Sequence, residues 1–143
     1  MAVTFSNADI DFELKKPDHI KKWIFEVVKS YGKHLGRINY LFCSDEYVYD
    51  ANVRFLNHYT YTDIITFDFV EGNLISGDIM ISVDRVGDNA QKMSLPFEQD
   101  LHRVIIHGVL HLLGFKDKSD ADAAEMRQKE NESLNLWDKI NAT

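Results

Sequence analysis

The chain has 143 residues, enough for one compact domain with its own core. Hydrophobic residues at 45% and aromatics at 12% exclude a disordered or fibrous chain. The formal net charge of -7 argues against a surface coated with phosphate-binding cations, although residues 1–37 carry seven Lys/Arg against five Asp/Glu, so the remainder stands at -9.

Cys43 is the single cysteine, so an intramolecular disulfide is impossible and a reducing compartment fits. No signal segment opens the chain, and no apolar run approaches the roughly 20 residues that span a bilayer. The expectation is a soluble, cytoplasmic protein with no membrane partner.

In chain order, "VTFSN" reads as an edge strand. From Ile20 the apolar positions Trp23, Ile24, Val27, Val28, Tyr31 and Leu35 follow helical spacing, with Pro17 at the start and Gly36 as the stop. "INYLFCS" (38–44) reads as a strand. Asp45 can cap a second helix whose inner face holds Tyr47, Val48, Ala51, Phe55 and Leu56. "DIITFDFV" (63–70) and "GDIMISV" (77–83) read as strands joined by a turn at Gly72 and Asn73. A short helix follows at 84–93. Ser94 and Pro96 start the next helix, and Ser119 with Asp122 starts a last one running to about Trp137. The order βαβαββααα predicts a single α+β domain over 1–143. A small mixed sheet of about four strands would carry helices packed against it.

The helix "FEQDLHRVIIHGVLHLLG" is apolar almost all round, which is the pattern of a buried helix. His107 and His111 lie four apart, so their rings share one face. Two imidazoles on a buried helix need partners, and one divalent metal satisfies both. Gly114 can adopt the left-handed conformation and turn the chain back, so that Asp117 returns as a third ligand. Two histidines and a carboxylate leave a coordination position open, the arrangement of a catalytic site. His102 lies about 140° round the helix from His107 and is excluded.

The spacing is also that of metzincin zinc proteases. There, glutamate follows the first histidine and acts as general base. Here that position is Gly108, which cannot take a proton, and this argues against proteolysis.

"HGVLHLLGFKD" (107–117) resembles the signature of the YbeY family, bacterial metal-dependent endoribonucleases of rRNA maturation. "LN" at Leu56–Asn57, "TDIITF" at Thr62–Phe67 and "GDIMIS" at Gly77–Ser82 stand in the family's order, as does the lead-in "FEQDLHRVIIHG". The resemblance implies that His107, His111 and Asp117 take the three ligand positions for one divalent metal ion, Zn2+ by preference. The family's third ligand is usually histidine, and Asp117 departs from it. The family also carries an arginine between "LN" and "TD". This chain reads "LNHYTYTD" there, which leaves Arg54, Lys116 and Lys118 as cations for a phosphate.

The implied function is a single-strand-specific endoribonuclease that processes the 3′ end of small-subunit 16S rRNA and serves ribosome quality control. Its partners would be rRNA precursors and ribosomal particles, with a small-subunit ribosomal protein or an assembly GTPase. The alternative is a ribosome assembly factor whose metal is structural.

Overall fold

The computed structural model of the chain describes residues 2–142. Strand β1 (Ala2–Asn7) is followed by α1 (Pro17–Ser30), β2 (His34–Cys43), α2 (Asp45–Leu56), β3 (Ile64–Asp68) and β4 (Leu74–Ser82). Three helices close the chain: α3 (Val83–Lys92), α4 (Phe97–Leu112) and α5 (Asp120–Asn141). The expected α+β class and element order are both found.

The strands form one mixed sheet in the order β1-β2-β4-β3. β1 and β4 run parallel to β2, and β3 returns antiparallel to β4. Alternation along the strands separates two apolar layers. Ile38, Tyr40 and Phe42 of β2 and Ile79 and Ile81 of β4 face the main core. Cys43 and Met80 point to the other face, where Val48 and Ala51 of α2 and Ile65 of β3 complete a smaller cluster. The sheet therefore lies between α2 and a layer built by the other helices.

Helix α4 runs through the main layer, with Leu101, Ile105, Ile106, Val109 and Leu110 fully buried, as its all-round apolar sequence requires. Two glycines let it lie close to the sheet. A Cβ on Gly108 would come within 2.8 Å of Ile79 Cδ1, and one on Gly77 within 2.6 Å of the Phe67 carbonyl and 2.8 Å of Leu112. Tyr40 donates its phenolic hydrogen to the Ile105 carbonyl at 2.8 Å, tying the helix to β2. Trp23 Nε1 donates to the Ser133 carbonyl at 2.7 Å and so fastens α5 to α1.

Several boundaries move. Helix α1 stops at Ser30, and Gly32 (φ 72°) takes the left-handed turn assigned to Gly36. Gly36 lies inside β2, at a register shift between Leu35 and Ile38 where one extra residue is accommodated. A Cβ there would strike Ser76 Oγ, so the bulge needs glycine. The cap of α2 is Ser44, whose Oγ accepts from the Tyr47 N–H at 3.1 Å, and not Asp45. Asp45 instead receives Arg85 at 2.6 and 3.2 Å and the Ser82 hydroxyl at 3.1 Å. On α2, Val48 and Ala51 are buried as expected, but Tyr47, Phe55 and Leu56 are exposed, because the sheet presents only a small apolar patch to that helix.

Candidate metal centre

Four polar residues of helix α4 form a stripe along its axis. Asp100, Arg103, His107 and His111 recur at three- and four-residue spacing, so all four lie along one line. The stripe faces a cleft of about 970 Å³. At its C-terminal end the helix stops at Gly114, φ 106°. The Gly114 N–H donates to the His111 carbonyl and the Phe115 N–H to the Leu110 carbonyl, both at 3.0 Å, the paired bonds of a Schellman motif. This turn returns Asp117 to the stripe, as the glycine's position predicts.

Asp117 Oδ2 lies 3.3 Å from His107 Nε2 and 3.5 Å from His111 Nε2. The two imidazole centroids are 4.8 Å apart with their planes at 78°. One ligand atom from each of the three residues falls within 4.8 Å of the others, so the group can hold a metal ion. The donors fit such an ion chemically, being two borderline nitrogens and one hard oxygen. His111 and Asp117 remain a third or more exposed, so the group opens onto the cleft. His102 is elsewhere, packed against Trp137 at 4.3 Å and Trp23 at 5.9 Å.

Behind His107 stands a residue that sequence reasoning missed. Glu130 Oε2 lies 2.7 Å from His107 Nδ1. A carboxylate there accepts the Nδ1 hydrogen, fixes the tautomer and leaves Nε2 free to ligate. Arg103 donates to Glu130 Oε1 at 2.9 Å and to Asn131 Oδ1 at 3.1 Å, while Arg127 lies 3.6 Å from the same Glu130 oxygen. The clue in the sequence is positional. Met126, Glu130, Ser133 and Trp137 occupy the buried stripe of α5, and a glutamate on such a stripe needs a partner.

The electrostatics follow from this chain of contacts. Burial pulls the His107 pKa down, but the Glu130 hydrogen bond and charge outweigh it and hold the ring above its usual range. Burial lowers His111, and the neighbouring His107 charge lowers it further. Burial alone would raise Glu130, yet His107 and Arg103 hold it below the usual carboxylate range. Two more acids line the cleft, Asp63 and Asp100, and burial raises both. Of the cations expected to meet a phosphate, Lys118 lines the cleft, whereas Arg54 pairs with Asp50 on the surface of α2 at 3.3 Å. Arg103, Arg127 and Lys92 line the cleft and were not singled out in the sequence.

Comparison with known proteins decides the family. The YbeY model, described as endoribonuclease YbeY, matches residues 4–138. The chain belongs to the YbeY endoribonuclease family. It is 50% identical over 131 residues to the endoribonuclease YbeY of Flavobacterium johnsoniae, covering 92% of this chain and 94% of that one. It is 56% identical over 115 residues to the endoribonuclease YbeY of Porphyromonas gingivalis, covering 80% and 76%. Its fold is similar to the solution structure of TM1509 from Thermotoga maritima, with a TM-score of 0.64 and 25% identity over 96% of this chain and 93% of that one. The resemblance read from "HGVLHLLGFKD" is therefore a family relationship, and the YbeY segments "LN", "TDIITF" and "GDIMIS" fall on α2, β3 and β4. Among the described residues, no helix is long and apolar enough to cross a membrane.

Proposed function

We propose that this YbeY-family protein is a metal-dependent endoribonuclease that cuts unpaired RNA, in the cytoplasm, during maturation of the 3′ end of 16S rRNA. The observation that carries the reading is the convergence of His107, His111 and Asp117 in a cleft that also presents Arg127, Lys92 and Lys118. His107, His111 and Asp117 would hold one divalent ion. Zinc suits two imidazoles and a carboxylate. Such an ion supplies Lewis acidity toward a phosphodiester. Glu130 keeps the proton of His107 on Nδ1 and so orients the ring. Arg127, more than half exposed, and the two lysines supply positive charge for the phosphate backbone. RNA brings its own 2′-OH as a nucleophile, so the absence of a glutamate at position 108 does not disable cleavage. The whole chain is one functional unit in this reading, with rRNA precursors and ribosomal particles as partners.

A structural metal site is closed by four protein ligands, whereas this group has three and opens onto a cleft. That favours catalysis over a purely structural metal. The test compares wild type with the His107→Ala/His111→Ala variant for metal content and for cleavage of single-stranded RNA. Wild type should carry about one metal ion and cleave, since three ligands and an open position make one catalytic site; the variant should do neither. Full cleavage by the variant overturns the reading. Binding to ribosomal particles with no cleavage by metal-loaded wild type makes the protein an assembly factor.

A further inference from the structure

Large apolar side chains are normally withdrawn from water, and a concentration of them on the surface has a use. Phe55 is 63% exposed, Leu56 42% and Tyr59 67%. They stand within five residues of one another, at the end of α2 and in the loop that follows. That loop is held in place. Asn52, itself buried, donates its side-chain amide to the Thr60 carbonyl at 2.9 Å, and its own carbonyl accepts from the His58 N–H at 3.1 Å. Tyr59 lies between these two anchors, and its hydroxyl donates to Asn57 Oδ1 at 3.2 Å. Phe55 meets Phe67 edge-on at 5.9 Å, and the Arg54 guanidinium lies 5.4 Å from its ring centroid. An anchored loop that keeps two aromatic rings in water is a preorganised surface.

The surface adjoins the cleft through the chain neighbours of the two rings. Leu56, His58 and Thr60 line the same cavity as His107, His111 and Asp117. Lys92 and the exposed Met93 line it too. The cleft thus has cations among its lining residues and exposed apolar Leu56 and Met93 at its lip, with Phe55 and Tyr59 next in the chain to residues that line it. That is the division a single strand requires, with phosphates drawn to positive charge and unstacked bases laid on aromatic faces. Duplex RNA keeps its bases inside the helix and has nothing to offer such a lip.

We propose that Phe55 and Tyr59, with Leu56 between them, form a base-stacking platform that seats the unpaired nucleotides flanking the scissile phosphate. The platform is a binding and specificity element, without sequence preference, because every base has a π-face. It rests on the reading of this protein as a ribonuclease, and the experiment separates the two.

A fluorescent, fully 2′-O-methylated single-stranded oligonucleotide is titrated with the protein and followed by anisotropy, beside the same strand with abasic residues in its central positions. Wild type should bind the intact strand at least about tenfold more tightly, a stacking contribution typical of one base on an aromatic ring. Phe55→Ala/Tyr59→Ala should bind the intact strand about tenfold more weakly and no longer distinguish it from the abasic one. Phe55→Trp/Tyr59→Phe keeps both rings and should keep the discrimination. Both substituted side chains are more than half exposed, and circular dichroism checks that each variant is folded. Equal binding of intact and abasic strands by wild type overturns the platform, as does full discrimination by the double-alanine variant. If that variant binds both strands like wild type but loses ribosomal particles, the lip is a protein contact and the proposal falls. A wild-type protein that discriminates by base yet never cleaves unmodified RNA refutes the nuclease reading and leaves the platform standing.

Discussion

Glu130 supports His107 from behind, with its Oε2 2.7 Å from Nδ1, the ring nitrogen that does not face Asp117. Removing that carboxylate frees the ring to turn and lowers its basicity as a ligand. Glu130→Gln should therefore weaken metal binding about 10–100-fold, the usual effect of losing the carboxylate behind a ligating histidine. A competition titration against a chromophoric chelator measures it. Wild-type affinity in the variant would show that His107 is oriented by packing alone.

Arg103 is the next link. Its guanidinium reaches Glu130 and Asn131, while its buried Nε has no partner among the described residues. In Arg103→Met, Glu130 would keep His107 and the looser Arg127 contact at 3.6 Å. The under-satisfied carboxylate should cost about 1–3 kcal/mol of stability, read by urea unfolding in the presence of a chelator. Metal affinity should fall by less than in Glu130→Gln. Lost stability with unchanged affinity would confine Arg103 to holding α4 against α5.

His102 makes stability depend on pH in a way that does not involve the metal group. Burial, aided by the Lys16 charge, brings its pKa down to about 4 from 6.5. The folded ring is thus neutral where the unfolded one is already protonated. Between pH 6.5 and about 4 the unfolded chain binds more protons than the native one, so stability falls as pH falls. The full loss across that window is about 3 kcal/mol at roughly 1.4 kcal/mol per pKa unit. His102→Phe keeps a ring against Trp23 and Trp137 and should flatten this part of the curve. The measurement is the difference in urea midpoint between pH 7 and pH 4.5, wild type against variant, with chelator present. Identical differences in the two proteins would refute the assignment.

The most legible part of the sequence was the part under the tightest physical constraint. Helix α4 announces its burial through apolar residues on every side, and Gly114 announces the turn because only a left-handed residue closes that Schellman motif. The convergence of His107, His111 and Asp117 follows from these two facts and the four-residue histidine spacing. Glu130 was hidden because it lies 23 residues beyond His107 in a run of charges, "RQKENES", that reads as a solvated face. Only the three-dimensional approach of α5 to α4 gives it a partner. Gly36 was misread because helix stops and strand bulges both demand glycine, and the choice depends on Ser76 of the neighbouring strand. Phe55 and Leu56 keep helical periodicity with Val48 and Ala51, yet the sheet offers Phe55 only an edge-on contact with Phe67 and leaves both side chains exposed. Periodicity reports which residues share a face, and not how much of that face finds a partner.

Gly108 provides the sharpest test of the distinction from zinc proteases. The sequence shows that the position lacks a base, and the fold shows where a side chain there would point. Its Cβ would approach Ile79 Cδ1 at 2.8 Å and Ile64 Cδ1 at 3.2 Å, toward the sheet. Gly108→Glu would therefore drive a carboxylate into the apolar layer between α4 and β4. Overpacking alone costs about 1–3 kcal/mol, and an unpaired buried carboxylate adds a further penalty of several kcal/mol. The gain in helix propensity over glycine, below about 1 kcal/mol, does not offset this. The variant should be produced largely unfolded, or melt far below wild type, and it should not cleave casein with added zinc. Gly108→Ala should lose at most about 2 kcal/mol, the overpacking cost of about 1–3 kcal/mol less a propensity gain of about 1 kcal/mol. A stable Gly108→Glu protein with peptidase activity would mean that α4 can lift from the sheet. Thermal unfolding of both variants, read beside the casein assay, decides between the two.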